Sequence, residues 1–514
     1  MASTVERSGA PEAGARNGGA PGREVDIAII GSGFSGLGMA IKLKEAGFDD
    51  LVLFERGGDV GGTWWFNTYP GCQCDIPSHL YSFSFALNPD WSRTYSKQAE
   101  IQRYLRDVAE RFDVVRHVQL NTTVENGEWD DEAQRWRLQT TGGEVVARVV
   151  IGGFGGLSEP RTPEVPGLES FTGTTFHTAQ WNHDHDLSGE RVAVIGTGAS
   201  AIQVVPNIQP KVGELHVFQR TAPWVVPHRD RRITDVEHKL FRAVPATQRF
   251  VRNGVYWMRE ALVPGLAFNP KLQKGVQKLA VKHIEHQVRD PELREKVTPD
   301  YVIGCKRILP SNEWYPALQQ DNVELHTGGI REVREGSIVT NDGTEVEVDT
   351  IIFATGFYVT DIPMAPRVRG RHGKTLADVW QGSPQAFRGT TVSGFPNAFI
   401  LLGPNTGLGH NSVVFMTESQ ITYAVDAIKR MRAEGLESID VKPEVQERYN
   451  ARLQSRMART VWNSGGCASW YLDRNGRNAT IWPDFTWRYR LRMRRFDASA
   501  YTARRRAPVT AQAR

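Results

Sequence analysis

The same local pattern occurs twice in this chain, and it dictates most of what the chain can fold into. Val25-Asp26-Ile27-Ala28-Ile29-Ile30 is a near-continuous apolar run that stops in Gly31-Ser32-Gly33-Phe34-Ser35-Gly36, and Leu51-Val52-Leu53-Phe54 follows. Arg191-Val192-Ala193-Val194-Ile195 stops likewise in Gly196-Thr197-Gly198-Ala199-Ser200-Ala201, with Leu215-His216-Val217-Phe218 beyond it. Apolar runs without polar alternation are strands covered on both faces, as in parallel sheets. Glycines at such spacing permit a tight turn and let backbone amides approach a pyrophosphate at the following helix. The expected fold is therefore α/β, with two Rossmann-like dinucleotide-binding domains.

The two units differ where the second strand ends. Glu55 lies 19 residues after Gly36, where a carboxylate accepts hydrogen bonds from both hydroxyls of an unphosphorylated ribose. The second unit offers Gln219-Arg220-Thr221 instead. A guanidinium binds a 2′-phosphate through charge-assisted hydrogen bonds, which favours NADP over NAD. One unphosphorylated and one phosphorylated ribose point to FAD and NADPH exchanging a hydride.

At 514 residues, with 40% hydrophobic and 23% charged side chains, the chain exceeds what one core usually supports. The expected organisation is a disordered tail over 1–23, a first part of the FAD domain over 24–160, and a first part of the NADP domain over 172–231. A helical insertion over 232–300 follows, because leucine, valine, lysine and glutamate recur there without strand alternation. The NADP domain resumes over 301–384 and the FAD domain over 385–496, with a basic tail over 497–514. Thr350-Ile351-Ile352-Phe353 reads as a further strand, and Ile421, Ala424, Ile428 and Met431 fall at helical spacing. Phe485, Trp487, Tyr489, Leu491 and Met493 alternate with polar or basic residues, the period of a half-buried strand whose arginines face away.

A net charge of +4 gives too little bias for a nucleic-acid or membrane-surface role. The basic C-terminal stretch lacks base-stacking aromatics on its own face, so no nucleic-acid partner is expected. Four cysteines, Cys72, Cys74, Cys305 and Cys467, argue against a disulfide framework and fit a reducing compartment. No apolar run nears the roughly 18 residues of a membrane span, and Met1 to Arg23 lacks the apolar centre of a signal peptide. The reading is a soluble, cytoplasmic protein, monomeric or homodimeric, with no membrane partner and no metal site.

Between the glycine loops, Phe171-Thr172-Gly173-Thr174-Thr175-Phe176-His177-Thr178-Ala179-Gln180-Trp181-Asn182 resembles the F-x-G-x-x-x-H-T-x-x-W-P/D fingerprint of type I Baeyer–Villiger monooxygenases. Thr178 and Trp181 separate it from related flavin-containing monooxygenases, whereas Asn182 departs from the proline or aspartate of the pattern. Further matches are Gly61-Gly62-Thr63-Trp64-Trp65, Tyr69-Pro70-Gly71 leading to Cys74-Asp75-Ile76, Cys305-Lys306-Arg307, Ala354-Thr355-Gly356 and Ser469-Trp470-Tyr471. The stretch from Gly403 to Asn411 resembles a branch like 4-hydroxyacetophenone monooxygenase.

The resemblance implies that a ketone and O2 are the substrates, and that one oxygen atom enters beside the carbonyl to give an ester or lactone through a C4a-peroxyflavin. Sulfides are implied as further substrates. It makes Arg307 the catalytic arginine, a cation that persists when buried, and Asp75 the acid that positions it. Lys306 would bind the NADP 2′-phosphate; were the segment extended, its side chain and that of Arg307 would point to opposite faces. Thr63, Trp64 and Tyr81 would line the FAD, and Trp470 would close over the nicotinamide cofactor on a loop that excludes water. Phe171, Gly173, His177, Thr178 and Trp181 would act structurally and conformationally at the junction of the domains. Gln73 stands where cyclohexanone- and phenylacetone-type relatives carry arginine.

Three other readings remain open at this stage. An N- or S-oxidising flavin-containing monooxygenase would share both cofactors. An NADPH-dependent disulfide reductase would use Cys72 and Cys74, although one intervening residue makes a strained ring. A non-catalytic sensor of NADPH would leave Arg307 and the Thr178–Trp181 pattern without a purpose.

Overall fold

The computed structural model describes residues 23–505. Both glycine loops open parallel sheets. In the first, Arg23–Ile30 lies between Leu51–Phe54 and Gly143–Gly152, parallel to each. The sheet continues through Arg135–Thr140, Val124–Asp130 and Val368–Arg369 on one side and Val118–Gln119 on the other, and Ala398–Ile400 also pairs with Gly143–Gly152. Ile27, Ala28 and Ile29 are fully buried, as expected of a strand covered on both faces. The helices Phe34–Glu45 and Val413–Glu434 pack on one another, and Ile421, Ala424, Ile428 and Met431 are all buried in the second of them.

The second sheet has the order Val323–His326, Glu214–Phe218, Arg191–Ile195, Thr350–Phe353, Thr174–His177, every pair parallel. A three-stranded antiparallel layer, Ile330–Val333, Ser337–Thr340 and Glu345–Glu347, covers one face around Ile195, Phe218, Ile338 and Phe353. Between the strands Glu214–Phe218 and Val323–His326 the chain forms the helices Asp235–Ala243, Pro245–Glu260, Lys274–Gln287 and Pro291–Val297. Their starts are set locally. Thr234 and Glu237 form a capping box, and the Asp290 carboxylate accepts from two amides before Pro291 opens its helix.

Two expectations for the C-terminal part are corrected. Phe485 to Met493 is no strand: Thr486–Met493 is an α-helix that buries Thr486, Tyr489 and Met493, the three- and four-residue spacing of one helix face. Its arginines do not all face away from the aromatics. Arg488 lies over the Phe485 and Trp487 rings, and Arg492 over Trp482, so cation–π contact imitates alternation. Nor is 497–505 a tail, since Tyr501–Arg505 pairs antiparallel with Leu436–Val441. The rest of that basic segment and residues 1–22 lie outside the described residues, while Arg23 already belongs to the first strand.

Candidate active site

Two glycines of the first loop are packed too closely against backbone to carry a side chain. A Cβ at Gly36 would sit 1.8 Å from the Gly31 carbonyl oxygen, and Gly31 itself has φ +93°, where L-residues are strained. Gly33 caps the helix Phe34–Glu45 with no side-chain bond, so the first-turn amides remain available to an anion. Glu55 is buried beside this loop. Its carboxylate accepts from the Ser32 amide at 2.9 Å, the Ser32 hydroxyl at 2.7 Å and the Gly57 amide at 2.8 Å. Gly62 approaches Gly33 from the other side and opens the short helix Thr63–Phe66. From that helix the Trp64 indole donates to the Tyr81 hydroxyl at 3.2 Å.

In the second loop Gly196 has φ +110° and its missing side chain admits the Ala354 carbonyl oxygen. Gly198 and Ala199 are exposed and Ser200 half-buried ahead of the helix Ala201–Ile208. The Thr197 hydroxyl donates to the Thr221 carbonyl at 3.2 Å, which ties the glycine loop to the segment bearing Arg220. Burial first, and the Arg220 charge second, lower the pKa of the Lys306 ammonium. The Arg220 charge therefore acts on Lys306, although the two lie on segments far apart in sequence. Lys306 sits in a bend rather than an extended strand, with its Nζ 5.1 Å from the centre of the Tyr301 ring. Lys306 thus lies against Tyr301 while Arg307 turns to Asp75, through a bend and not through strand alternation.

Arg307 reaches the other nucleotide unit. Its Nε and one terminal nitrogen donate to the same Asp75 oxygen at 2.8 and 2.6 Å, and its other terminal nitrogen donates to the Leu408 carbonyl at 2.9 Å. Burial alone would lower the guanidinium pKa, but the Asp75 charge first, and the Asp75 hydrogen bond with it, outweigh burial and raise it. The Tyr471 phenol is itself pushed up to about 12 by burial, so it stays a neutral neighbour. The site therefore holds a fixed cation partly neutralised by one carboxylate.

The fingerprint residues lie apart from this centre. His177 ends the strand Thr174–His177, and its Nδ1 accepts from the Ala179 amide at 3.0 Å. Its pKa is lowered to about 4 by burial, and its ring meets Phe357 edge-on where the connecting segments touch through Pro160 and Phe357. Thr178 is buried beside it. Trp181 packs edge-on against Phe176 at 5.0 Å. Phe171 packs under the three-stranded layer, and a Cβ at Gly173 would strike the Asp349 carbonyl. Asn182 accepts from the Asp184 amide at 3.1 Å, the turn an aspartate would make, so its departure from the pattern leaves the backbone course intact. Trp470 is 47% exposed and packs against Tyr471.

The four cysteines divide into a bridged pair and a free pair. Cys305 and Cys467 form a disulfide, which ties the segment before Lys306 and Arg307 to the loop that bears Trp470. Cys72 and Cys74 are free and buried. Burial pushes the Cys72 thiol up to about 12 and Cys74 well above the usual thiol value, the reverse of what a redox-active thiolate needs.

Sequence reasoning missed the residues that lock the units together. The Gln203 side chain, on the helix after the second glycine loop, accepts from the Tyr69 hydroxyl and the Gln73 amide at 3.1 and 3.2 Å and donates to the Gln73 carbonyl at 2.9 Å. Gln73, in place of an arginine, donates to Asp230 at 3.1 Å. Glu260 ends a helix of the insertion and is 1% exposed. It accepts from Asn411 at 2.8 Å, the Thr486 amide at 3.0 Å, the Thr486 hydroxyl at 2.7 Å and His410 at 3.3 Å. Glu260 thereby fixes the loop whose Leu408 carbonyl holds Arg307. No local pattern marks any of these residues, since each has its partners far away in sequence.

Comparison with known proteins gives this arrangement a context. A family model described as pyridine nucleotide-disulphide oxidoreductase matches residues 28–245. A Baeyer–Villiger monooxygenase of Pseudomonas aeruginosa is 52% identical over 484 residues, covering 94% of this chain and 92% of that protein. Among solved structures, an oxidised steroid monooxygenase bound to NADP superposes with a TM-score of 0.82 at 30% identity, covering 94% of this chain and 100% of that one. OTEMO in complex with FAD and NADP gives 0.81 at 27% identity, covering 91% and 97%. At the identity and coverage of the Pseudomonas aeruginosa relative, this chain belongs to the Baeyer–Villiger monooxygenase family.

Proposed function

We propose that the protein inserts one atom of O2 beside a ketone carbonyl, at the expense of NADPH, with Arg307 as the catalytic cation and Asp75 as the residue that positions it. The overall conversion balances as ketone, O2, NADPH and a proton giving ester or lactone, NADP⁺ and water. FAD and NADPH, when bound, supply hydride transfer and the activation of dioxygen.

The chain's own residues fit both groups. Gly31 and Gly36 leave no room for side chains against the neighbouring backbone, which keeps the loop tight enough for a pyrophosphate, and Glu55 stands ready for a ribose diol with its carboxylate already anchored. Thr63, Trp64 and Tyr81 form the wall beside it. The loop Gly196, Thr197, Gly198, Ala199 and Ser200 would take the second pyrophosphate, with Arg220, Thr221 and Lys306 at its 2′-phosphate. A bound anion would offset the effect of the Arg220 charge on Lys306.

Arg307 is the observation that carries the reading: a guanidinium that stays charged while drawn across the junction by Asp75 and Leu408. Negative charge that develops on oxygen during carbonyl attack meets a donor already in place, so no reorganisation is needed at that moment. Trp470 and Tyr471 border the same region, and Trp470 would cover the nicotinamide cofactor and exclude water. The five fingerprint residues Phe171, Gly173, His177, Thr178 and Trp181 set the relation of the two sheets and take no part in proton transfer. The branch resembling 4-hydroxyacetophenone monooxygenase rests on Gly403–Asn411 alone. No described helix is long and apolar enough to cross a membrane.

Supplying purified protein with NADPH, a panel of ketones and isotopically labelled O2 tests the reading. Esters or lactones carrying one labelled oxygen are expected. Sulfoxides or N-oxides without any ester would instead select the heteroatom-oxidising alternative.

A further inference from the structure

The sheet that carries the second glycine loop ends in an edge strand, Val323–His326, paired in parallel with Glu214–Phe218. In that register Glu324 stands opposite His216 and His326 opposite Phe218. Residues two apart on a strand share a face, so Glu214, His216, Glu324 and His326 all project to the same side. His216 and His326 are both buried, whereas the Glu324 side chain is 65% exposed.

The donor atoms form a compact triangle. His216 Nδ1 lies 3.2 Å from His326 Nε2, and one Glu324 carboxylate oxygen lies 3.7 Å from the first and 3.6 Å from the second. Tetrahedral zinc with bonds of about 2.0–2.1 Å places neighbouring donors about 3.3–3.4 Å apart, so the three atoms already stand at coordination spacing. A fourth, independent contact fixes the ligand form: His216 Nε2 lies 3.3 Å from a Glu214 carboxylate oxygen. A proton held there leaves the Nδ1 lone pair turned toward His326 and Glu324, as carboxylates behind metal-bound imidazoles do.

We propose that His216, His326 and Glu324 form a binding site for a divalent transition-metal cation of the zinc class, with Glu214 as the carboxylate behind it and water at the open position beside the exposed Glu324. Two imidazoles and one carboxylate suit zinc, and cobalt in its place, better than magnesium or calcium. The ligands come from strands whose histidines are 110 residues apart, which is why the sequence contains no recognisable metal motif. The site would staple the edge strand to its neighbour. Because the His326 carbonyl accepts from the Gln219 amide at 2.8 Å, the staple would also steady the segment that leads into Arg220.

The test uses flavin-loaded enzyme freed of metal by a chelator and titrated with zinc chloride alone, followed by calorimetry, and with cobalt chloride, followed by absorbance. The wild type is expected to bind one zinc ion with a higher melting temperature, and its cobalt form to show the visible d–d bands of a four-coordinate site. His326→Gln and Glu324→Gln should each weaken binding by about tenfold or more, and Glu214→Gln by about tenfold. Both His326→Gln and the chelated wild type should keep NADPH oxidation, which separates loss of metal from loss of fold. Absence of zinc binding by the wild type, or wild-type affinity in a folded, active His326→Gln enzyme, would overturn the proposal.

Discussion

Arg307 and Asp75 meet across the junction of the two nucleotide-binding sheets, with two guanidinium nitrogens on a single carboxylate oxygen at 2.6 and 2.8 Å. Asp75 follows a turn that Gln203 pins to the second unit, so the ion pair depends on how both units are docked. Replacing Arg307 by alanine removes the guanidinium that Asp75 and Leu408 hold in place for an oxygen anion. Ester formation should fall by about 10²–10³-fold, equivalent to about 2.7–4 kcal/mol, while NADPH consumption continues. Product analysis alongside NADPH absorbance checks this, and ester at near-normal rate would remove Arg307 from its role. Arg307→Lys should rescue little, because an ammonium cannot hold Asp75 and the Leu408 carbonyl in the same planar fork.

Cofactor choice should reside in Lys306 and Arg220. Alanine at either position is expected to raise KM for NADPH by about tenfold or more, the value of one charge-assisted hydrogen bond of about 1.5–3 kcal/mol. KM for NADH should stay within about twofold, since the lost partner is the 2′-phosphate alone. Steady-state kinetics with both nucleotides decides it; equal losses with NADH would make these residues structural.

Stability should depend on pH through His177. Its folded pKa of about 4 lies below the ordinary histidine value of 6.5 because burial disfavours the cation. A histidine with a depressed folded pKa contributes stability that is fully present above 6.5 and is lost as pH falls toward 4, by at most about 3 kcal/mol at about 1.36 kcal/mol per unit. Denaturant midpoints for the wild type should therefore fall across that window. His177→Gln should show a shallower slope over the same range, and an unchanged slope would contradict the assignment.

Thiol counting tests the cysteine arrangement. Native protein should take up almost no alkylating reagent, because Cys72 and Cys74 are buried and poorly ionised. Unfolding without reductant should expose those two, and adding reductant should expose Cys305 and Cys467 as well. Mass spectrometry reads each step. Four labelled cysteines before reductant is added would show that the bridge does not form in solution.

What the sequence made legible is what the chain encodes within a few residues. Gly31, Gly36 and Gly196 are dictated by local backbone geometry and close carbonyls, so the loops, their strands and their expected nucleotides could be read directly. The Asp75–Arg307 pair came from motif resemblance, since its two members are 232 residues apart. Glu260 gave no signal because a carboxylate on an amphipathic helix is ordinarily solvated; only the fold buries it against Asn411 and Thr486. The stretch Phe485–Met493 misled for a different reason. Arginines that lie over aromatic rings alternate with them in sequence as solvated residues alternate with buried ones in a strand.

The pairing of Ala398–Ile400 with Val150–Gly152 has a consequence for biosynthesis. As the polypeptide leaves the ribosome, the strands Thr174–His177, Arg191–Ile195, Glu214–Phe218, Val323–His326 and Thr350–Phe353 are all present before residue 398 is translated. The second sheet can close while the Val150–Gly152 end of its strand in the first sheet still lacks Ala398–Ile400, and the Phe34–Glu45 helix lacks its cover until Val413–Glu434 emerges. The unit that begins the polypeptide is thus the last to be completed, and a nascent chain halted between those points would display its unfinished apolar edge to chaperones.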